Sequence, residues 1–344
     1  MRSAVVDKDH AGMRLDLFLT RFLAGPAGVG EWSRARIQKM VMEGHALLNG
    51  RRVKPAVRLK LSDRIEIFSP PTQDTDLKPE ALPLDILYED RHCIVVNKPP
   101  GMVVHPAAGN LGGTLVNALL HHCPDLPGIA GERRPGIVHR LDKNTSGVMV
   151  IAKDAETFRD LALQFQERRI QKEYIALVWG RFDREKGIIN RPIGRHRSDR
   201  KKMSSIHRLG RSRDAVTEWQ VEDSFQVAAP GHRFSWVTLL RLRLHTGRTH
   251  QIRVHLADQG HPIVGDPLYG PKQKEFAKAA VEAPELTDFP RQALHAEKLA
   301  FFHPRSATLV EFHAPLFTDM KGLLDCLGEK HLRGSTGIKT LIRR

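Results

Sequence analysis

Cysteine is scarce here, with three residues in 344, and Cys93, Cys123 and Cys326 lie far apart. An odd, scattered set excludes a disulfide scaffold and a CxxC metal site. His121-His122-Cys123 offers ligand atoms, but the sequence places no complementary cluster near it, and ordinary packing is the plainer reading. Long apolar runs are also missing. None approaches the roughly 18–20 residues that cross a bilayer. The first residues, MRSAVVDKDH, lack the apolar core of a secretory signal. Acidic residues are outnumbered, 39 Asp+Glu against 54 Lys+Arg, for a net charge of +15 and a pI near 10. Such an imbalance favours a polyanionic partner, because each neutralised phosphate releases counterions. Nucleic acid ranks first on that ground, an anionic membrane surface second, and a merely basic surface is the bland alternative. We therefore expect a cytoplasmic protein that does not enter the membrane; a monomer is expected too, although composition does not derive it.

What is present is enough for a globular core: 41% hydrophobic and 27% charged residues. Leu15, Phe18, Leu19 and Phe22 recur at the spacing of one buried helical face. A Gly/Pro-rich loop follows (Gly25, Pro26, Gly28, Gly30), then Ser33 as cap of a second helix with Ile37, Met40 and Val41 turned inward. Arg34, Arg36 and Lys39 fall mostly elsewhere on that helix. Asn49-Gly50 between apolar segments predicts a hairpin, and Ile65 and Ile67 alternate with Arg64 and Glu66 in a strand. Residues 13–68 thus form a small unit, and 69–80 (SPPTQDTDLKPE from 69) read as a linker. From 81 to 328 apolar strands alternate with shorter helices: Ile94-Val95-Val96, Val148 to Ala152 and Tyr174 to Trp179 as strands, Phe158, Leu161, Ala162 and Phe165 on a helix. Trp236, Thr238, Leu240, Leu242 and Leu244 alternate with Arg241, Arg243 and His245, predicting a strand with one wet, basic face. The fold class expected is α+β with a large mixed, mainly antiparallel sheet flanked by helices and loops. Residues 329–344 read as a basic tail.

Two polar clusters can carry chemistry. GIVHRLDKNTSG (136–147) is a loop before an apolar strand, with Asp142 flanked by His139, Arg140 and Lys143. Neighbouring cations favour the carboxylate anion, which suits a nucleophile or base, although a lone Asp in a polar loop also serves as a turn or cap. TGRTHQIRVH (246–255) follows the basic strand and is expected to open a helix whose free N–H groups, with Arg248, Arg253 and two histidines, could hold phosphates. The alternative is a charged helical face in solvent.

These blocks are recognisable. The helix SRARIQKMVMEG, the Asn-Gly hairpin and the last strand resemble the S4 RNA-binding domain, although Leu61-Ser62-Asp63 stands where that fold usually shows a glycine before the Asp. GIVHRLDKNTSGVMVIAKD resembles the catalytic signature of the RluA/RluD-type pseudouridine synthases. The likeness continues in order through HPAAGN (105–110), GTLVNALL, KEYIALVWG, TGRTHQIRVHLA, PIVGDPLYG and LHAEKLAFFHP. The HPAAGN block and the S4-like domain bring it nearest to members acting on large-subunit ribosomal RNA.

The resemblance implies a set of roles. Asp142 would be the catalytic aspartate, paired with Arg253. Tyr174 would pack on the target base and take or relay the C5 proton, with Ile252 beneath it. Arg140 would fill the gap left by a flipped uridine, beside His139 and Arg248. Arg34, Arg36 and Lys39 would follow RNA phosphates, and Arg200 and Lys201 in RHRSDRKKM would face substrate, unless that run is simply solvated. Asp266 and Tyr269 in GDPLYG, and Asn97 and Lys98 in VNKPPG, read as structural. Uridine isomerisation involves neither redox change nor hydrolysis, so no cofactor and no metal are expected. Asp142 would add to sugar or base, or remove the ribose 2′ proton. The competing readings are the same reaction on another ribosomal or transfer RNA, and a non-catalytic RNA-binding assembly factor. A glycosidase or nuclease would need two cooperating carboxylates or a metal cluster, and the sequence shows neither near Asp142.

Overall fold

The computed structural model describes residues 2–23, 34–68, 77–106, 110–126, 135–199, 201–228, 234–271 and 283–334. The chain divides into two compact units, Met1–Asp76 with Ala130–Pro135, and Leu77–Ile129 with Gly136–Arg344.

In the first unit, β1 (Arg2–Val5), α1 (Leu15–Leu23), α2 (Arg34–Met42), β2 (Ala46–Leu48) and β3 (Arg64–Ile67) form a three-stranded antiparallel sheet, β1-β3-β2, with two helices. Strand β1 lies ahead of position 13 and pairs with β3 along its length. Leu15, Phe18, Leu19, Ile37, Met40, Val41 and Ile65 fill the core. Phe22 departs from the expected pattern. It is 43% exposed while Leu23 is buried, because Leu15, Leu19 and Leu23 make the inward ridge. The Asn49-Gly50 turn has φ of 51° and 73°, and the Asn49 carboxamide oxygen accepts the Arg64 amide at 2.8 Å. Ser62 has φ of 69°, so the position where the resembling fold shows glycine does take the left-handed conformation, without one. The Gly25–Gly30 loop and Ser33 lie outside the described residues.

The second unit is built on a nine-stranded sheet. Its strands are β4 (Ile86–Glu89), β5 (Cys93–Lys98), β6 (Ser146–Ala152), β7 (Gln171–Trp179), β8 (Lys186–Asn190), β12 (Val216–Gln226), β13 (Trp236–Leu244), β14 (Leu294–Phe302) and β15 (Leu309–His313). The order is β4-β5-β6-β14-β7-β13-β12-β8, with β15 paired to β14. Every pairing is antiparallel except β6–β14, so the sheet is mixed and mainly antiparallel as expected. A smaller sheet, order β10-β9-β11, comprises β9 (Ile193–His196), β10 (Met203–Ser204) and β11 (Arg208–Arg213). The helices are α3 (Leu115–His122), α4 (Ala155–Gln166), α5 (Gln251–Asp258), a short turn of helix at Pro284–Thr287, and a final helix at Thr318–Gly334 that extends into the stretch read as tail.

Two large apolar cores lie in this unit, beside a small cluster of Ile193, Ala215 and Val254. One gathers around Ile175–Trp179, Leu240, Leu242 and Ile252, the other around Cys93–Val96, Leu115, Leu119 and Val148–Ala152. Tyr174 packs against both. Helix α4 is capped by Asp154, which accepts the Thr157 amide at 2.8 Å. It buries Leu161 but also Gln164, whose carboxamide bonds both backbone groups of Phe302 at 2.7 and 3.0 Å. The basic face expected on β13 is paired in part: Arg241 contacts Glu173, Glu222 and Glu297, and His245 contacts Glu218, while Arg243 is exposed. Of the stretch read as linker, 69–76 lies outside the described residues. Lys78 and Glu80 are docked, through Asn117 Nδ2 on the Lys78 carbonyl (2.8 Å) and the Gly113 amide on Glu80 (3.1 Å).

Candidate active site

The loop carrying Asp142 enters β6 through a series of buried anchors. Lys98, with none of its surface exposed, donates to the carbonyls of Pro99 (2.7 Å), Met102 (2.9 Å) and Lys143 (3.1 Å). Burial, and then repulsion from Arg291, pulls this ammonium down to about 7, with Asp142 acting the other way. Each of its three protons nevertheless has a carbonyl acceptor, which is the arrangement of a charged lysine. Arg291 reaches the Asn144 carbonyl at 3.1 Å while its fork grips Asp319, at 2.6 and 2.9 Å, in the first turn of the final helix. Gln292 donates to Thr145 Oγ1 at 3.1 Å, and His295 Nδ1 lies 2.9 Å from Ser146 Oγ. Thr145 N closes the turn on the Asp142 carbonyl at 3.0 Å. Residues 143 to 146 are thus each fixed from outside the loop. The Asp142 carboxylate stays partly exposed, its side chain at 22%.

Opposite it stands Arg253 on α5. One guanidinium nitrogen donates to Asp142 Oδ2 at 2.9 Å, and the other two hold both oxygens of Asp266 at 2.7 and 2.8 Å. Asp266 also accepts the amides of Leu268 (2.9 Å) and Tyr269 (3.0 Å). Burial works against the Arg253 charge, but Asp266 and then Asp142 outweigh it and raise the guanidinium above its ordinary value. The side chain is therefore a fixed cation whose direction is set by one carboxylate and spent on the other.

Asp142, Arg140, Tyr174, Arg248, His250, Ile252 and Arg253 line one cavity of about 120 Å³, with Leu244 and Leu294 on its apolar wall. Tyr174 sits in mid-sheet, opposite Leu242 on β13 and Ala296 on β14. Burial, and then the Asp142 carboxylate, pushes its phenol well above the usual range. Tyr174 thus offers an uncharged aromatic face at neutral pH. Arg140 is exposed at the rim, and Arg248 is tethered to the Asp214 carbonyl at 2.9 Å. Chemically, the cavity suits one planar heterocycle laid beside a single positioned carboxylate.

Sequence and structure differ at several of the expected positions. His139 does not line the cavity. Its Nε2 accepts the Val150 amide at 3.1 Å, its ring stacks on Phe165, and burial, followed by Lys172, pulls it down to about 3. It is a neutral imidazole supporting β6. The helix expected to open near Gly247 begins at Gln251, whose side-chain oxygen accepts from Thr246 Oγ1 (2.7 Å) and the Arg248 amide (3.0 Å). The latter amide is therefore engaged within the turn rather than offered to a phosphate. Arg34 and Lys39 belong to the first unit. Arg34 joins Arg14 and Gln38 on the fully buried Asp16, and Lys39 pairs with Glu43 at 3.5 Å. Lys201 is exposed beside β10, whereas Arg200 and the Arg36 side chain lie outside the described residues. Near His122 and Cys123 the fold supplies the carboxylate that the sequence did not place there: Glu89 contacts both, and Lys153 at 2.7 Å. Asp266, Lys98, Arg291 and Tyr269 escaped functional notice because their signal, a charged or phenolic residue beside a turn glycine or proline, is common in purely structural turns.

Residues 92–258 match the RNA pseudouridylate synthase family and residues 13–65 the S4 domain. An RNA pseudouridine synthase of Bacillus subtilis is 42% identical over 309 residues, covering 90% of this chain and 93% of its own. The ribosomal large subunit pseudouridine synthase D of Xanthomonas campestris is 41% identical over 337 residues (97% and 95%), and that of Escherichia coli K12 is 40% identical over 328 (94% and 94%). Among solved structures, human RNA pseudouridylate synthase domain containing 1 superposes with a TM-score of 0.55 at 26% identity, over 76% of this chain and 98% of its own.

Proposed function

The chain belongs to the RNA pseudouridylate synthase family and isomerises uridine in RNA, and from that premise we propose that Asp142 is its catalytic carboxylate and large-subunit ribosomal RNA its substrate. The observation that carries the catalytic assignment is the chain of hydrogen bonds from the buried Asp266 through Arg253 to Asp142 in the cavity. Two relatives named for the ribosomal large subunit, aligned over nearly the whole chain, support the substrate. We place the action in the cytoplasm and in a monomer; among the described residues no helix is long and apolar enough to cross a membrane.

The reaction breaks the bond from ribose C1′ to uracil N1, turns the base, and joins C1′ to C5. The C5 proton leaves and N1 gains one. A stacked nucleotide hides these atoms, so the uridine is first extruded, at a cost of a few kcal/mol. Arg140 at the rim occupies the vacated space in this reading, and Arg248 meets a flanking phosphate. Tyr174 and Ile252 then hold the base by packing. A phenol raised as Tyr174's is serves this better than it serves as a phenolate base. Arg253 aims the Asp142 carboxylate at the sugar–base junction, whether it then adds to carbon or removes the 2′ proton.

The test is pseudouridine mapping of total RNA from cells with and without this protein, rescued by the wild type or by Asp142→Asn. We expect a few large-subunit ribosomal sites to disappear and only the wild type to restore them. Sites in transfer RNA would redirect the substrate. Rescue by Asp142→Asn would remove that residue from the chemistry.

A further inference from the structure

Resting on that reading of the cavity, we propose that His250 donates a hydrogen bond from Nε2 to the uracil as it leaves the ribose, and that Tyr269 holds the imidazole in the tautomer this requires. His250 lines the cavity with Asp142 and Tyr174. Its Nε2 lies 3.8 Å from Asp142 Oδ2, too far for a hydrogen bond yet close enough to face the same bound base.

The other ring nitrogen fixes the tautomer. His250 Nδ1 is 2.8 Å from the Tyr269 hydroxyl, and that same oxygen accepts the Met203 amide at 2.8 Å. An amide can only donate, so the hydroxyl's own proton is left free to be directed at Nδ1, and we assign it there. Nδ1 is then the acceptor and Nε2 carries the ring proton. Tyr269 is itself fixed, by its amide on Asp266 and its ring under the Arg253 guanidinium at 5.1 Å.

The backbone supports this assignment. His250 has φ of 57° and ψ of 22°, left-handed for a residue with a side chain, and its side chain makes no cap bond to the helix that follows. A strained position whose side chain is turned into a cavity, instead of satisfying the adjacent helix, points to a role in that cavity. Burial pulls the imidazole below its ordinary value, with Asp142 opposing, so the ring is neutral at pH 7.

When the C1′–N1 bond breaks, its electron pair passes to N1 and spreads onto the two carbonyl oxygens of uracil. A neutral N–H pre-aimed at that charge stabilises it without giving up its proton, so no return step is needed when C5 bonds to C1′. Three of the five Arg253 N–H groups are already engaged by Asp142 and Asp266, which fix the direction of that cation.

The experiment is single-turnover pseudouridine formation by the full chain on a transcribed large-subunit ribosomal RNA. It compares wild type, Asp142→Asn, His250→Asn and Tyr269→Phe, with RNA affinity measured in parallel. Asparagine tolerates the left-handed backbone. We expect His250→Asn to slow the reaction about 100-fold with RNA affinity within about twofold, and Tyr269→Phe to slow it less. Nitrogen-15 histidine spectra of the wild type, with the His250 signals identified by their loss in His250→Asn, should show protonation at Nε2 and a mixture of tautomers in Tyr269→Phe. An active wild type matched by His250→Asn in rate overturns the inference alone, as does protonation at Nδ1. A wild type that forms no pseudouridine on any ribosomal RNA overturns the functional reading together with it. Should His250→Asn fail to fold, Tyr269→Phe decides: a slower reaction with a shifted tautomer supports the role, and an unchanged rate with a shifted tautomer overturns it.

Discussion

Lys98 shows how a single buried side chain reaches the chemistry without touching the cavity. Its three donor bonds join the end of β5, the turn at Met102 and the carbonyl next to Asp142. Lys98→Met keeps the volume and removes the charge, which relieves one burial cost. It also orphans three carbonyls, at about 1–3 kcal/mol each. The second effect wins, and we expect a net loss of about 3 kcal/mol in urea unfolding, with a fall in kcat larger than any rise in KM. Unchanged stability would mean that the carbonyls find other donors. The pairing of Arg253 with two carboxylates follows the same logic: Asp266 is fully buried on its side-chain surface, so its charge is tolerable only because the guanidinium fork takes both oxygens.

Where β6 and β14 run parallel, their junction decides whether the loop and the sheet can meet. Gly147 pairs with Ala296, at φ of 119°, and an added Cβ would lie 2.2 Å from the Ala296 carbonyl oxygen. No rotamer relieves a clash with backbone. Gly147→Ala should therefore part the two strands, costing about 3 kcal/mol or more from strain and overpacking. Because Ser146 and Thr145 are tied to His295 and Gln292 across the same junction, activity should fall with stability. Thermal melting and single-turnover rate measured on one preparation would check this. A melting point within about 2 °C of wild type would refute it. Element by element, the sequence pattern served well where burial is one-sided, as in α2, and less well at the end of α1, where Leu23 is buried instead of Phe22, and on α4, where Gln164 is buried by hydrogen bonding to a neighbouring strand.

For the whole molecule, charge is the organising quantity. The net charge of +15 is spread over both units, and two side chains expected to meet phosphates are partly engaged in internal pairs, Arg34 with Asp16 and Lys39 with Glu43. A chain beginning at residue 77 keeps both cores of the second unit. It should bind RNA more weakly and with a shallower dependence of log affinity on log salt, by about 0.7–0.9 for each phosphate that the first unit would neutralise. Nitrocellulose filter binding across a salt series measures the slope. The same slope in the truncated and full chains would end the proposed grip of the first unit on RNA.

Local chemistry made much of this legible in advance. The Asn49-Gly50 turn, the two helices of the first unit, the strand at 174–179 and the charged loop around Asp142 all express preferences of neighbouring residues. Such preferences act over a few positions and survive without knowledge of the fold. The motif blocks then carried the family. The pairing of Arg253 with Asp142 across 111 residues was implied by the family resemblance and is present in the fold. Other contacts between distant positions were decided only by folding: Lys98 with Lys143 across 45 residues and Arg291 with Asn144 across 147. So were His139 turning away to Val150 and His250 turning in beside Asp142. A histidine, lysine or aspartate in a polar turn has the same local character whether it faces solvent, a strand or a substrate. Which of these it faces is set by long-range packing, where a buried polar group must find its partner or destabilise the fold.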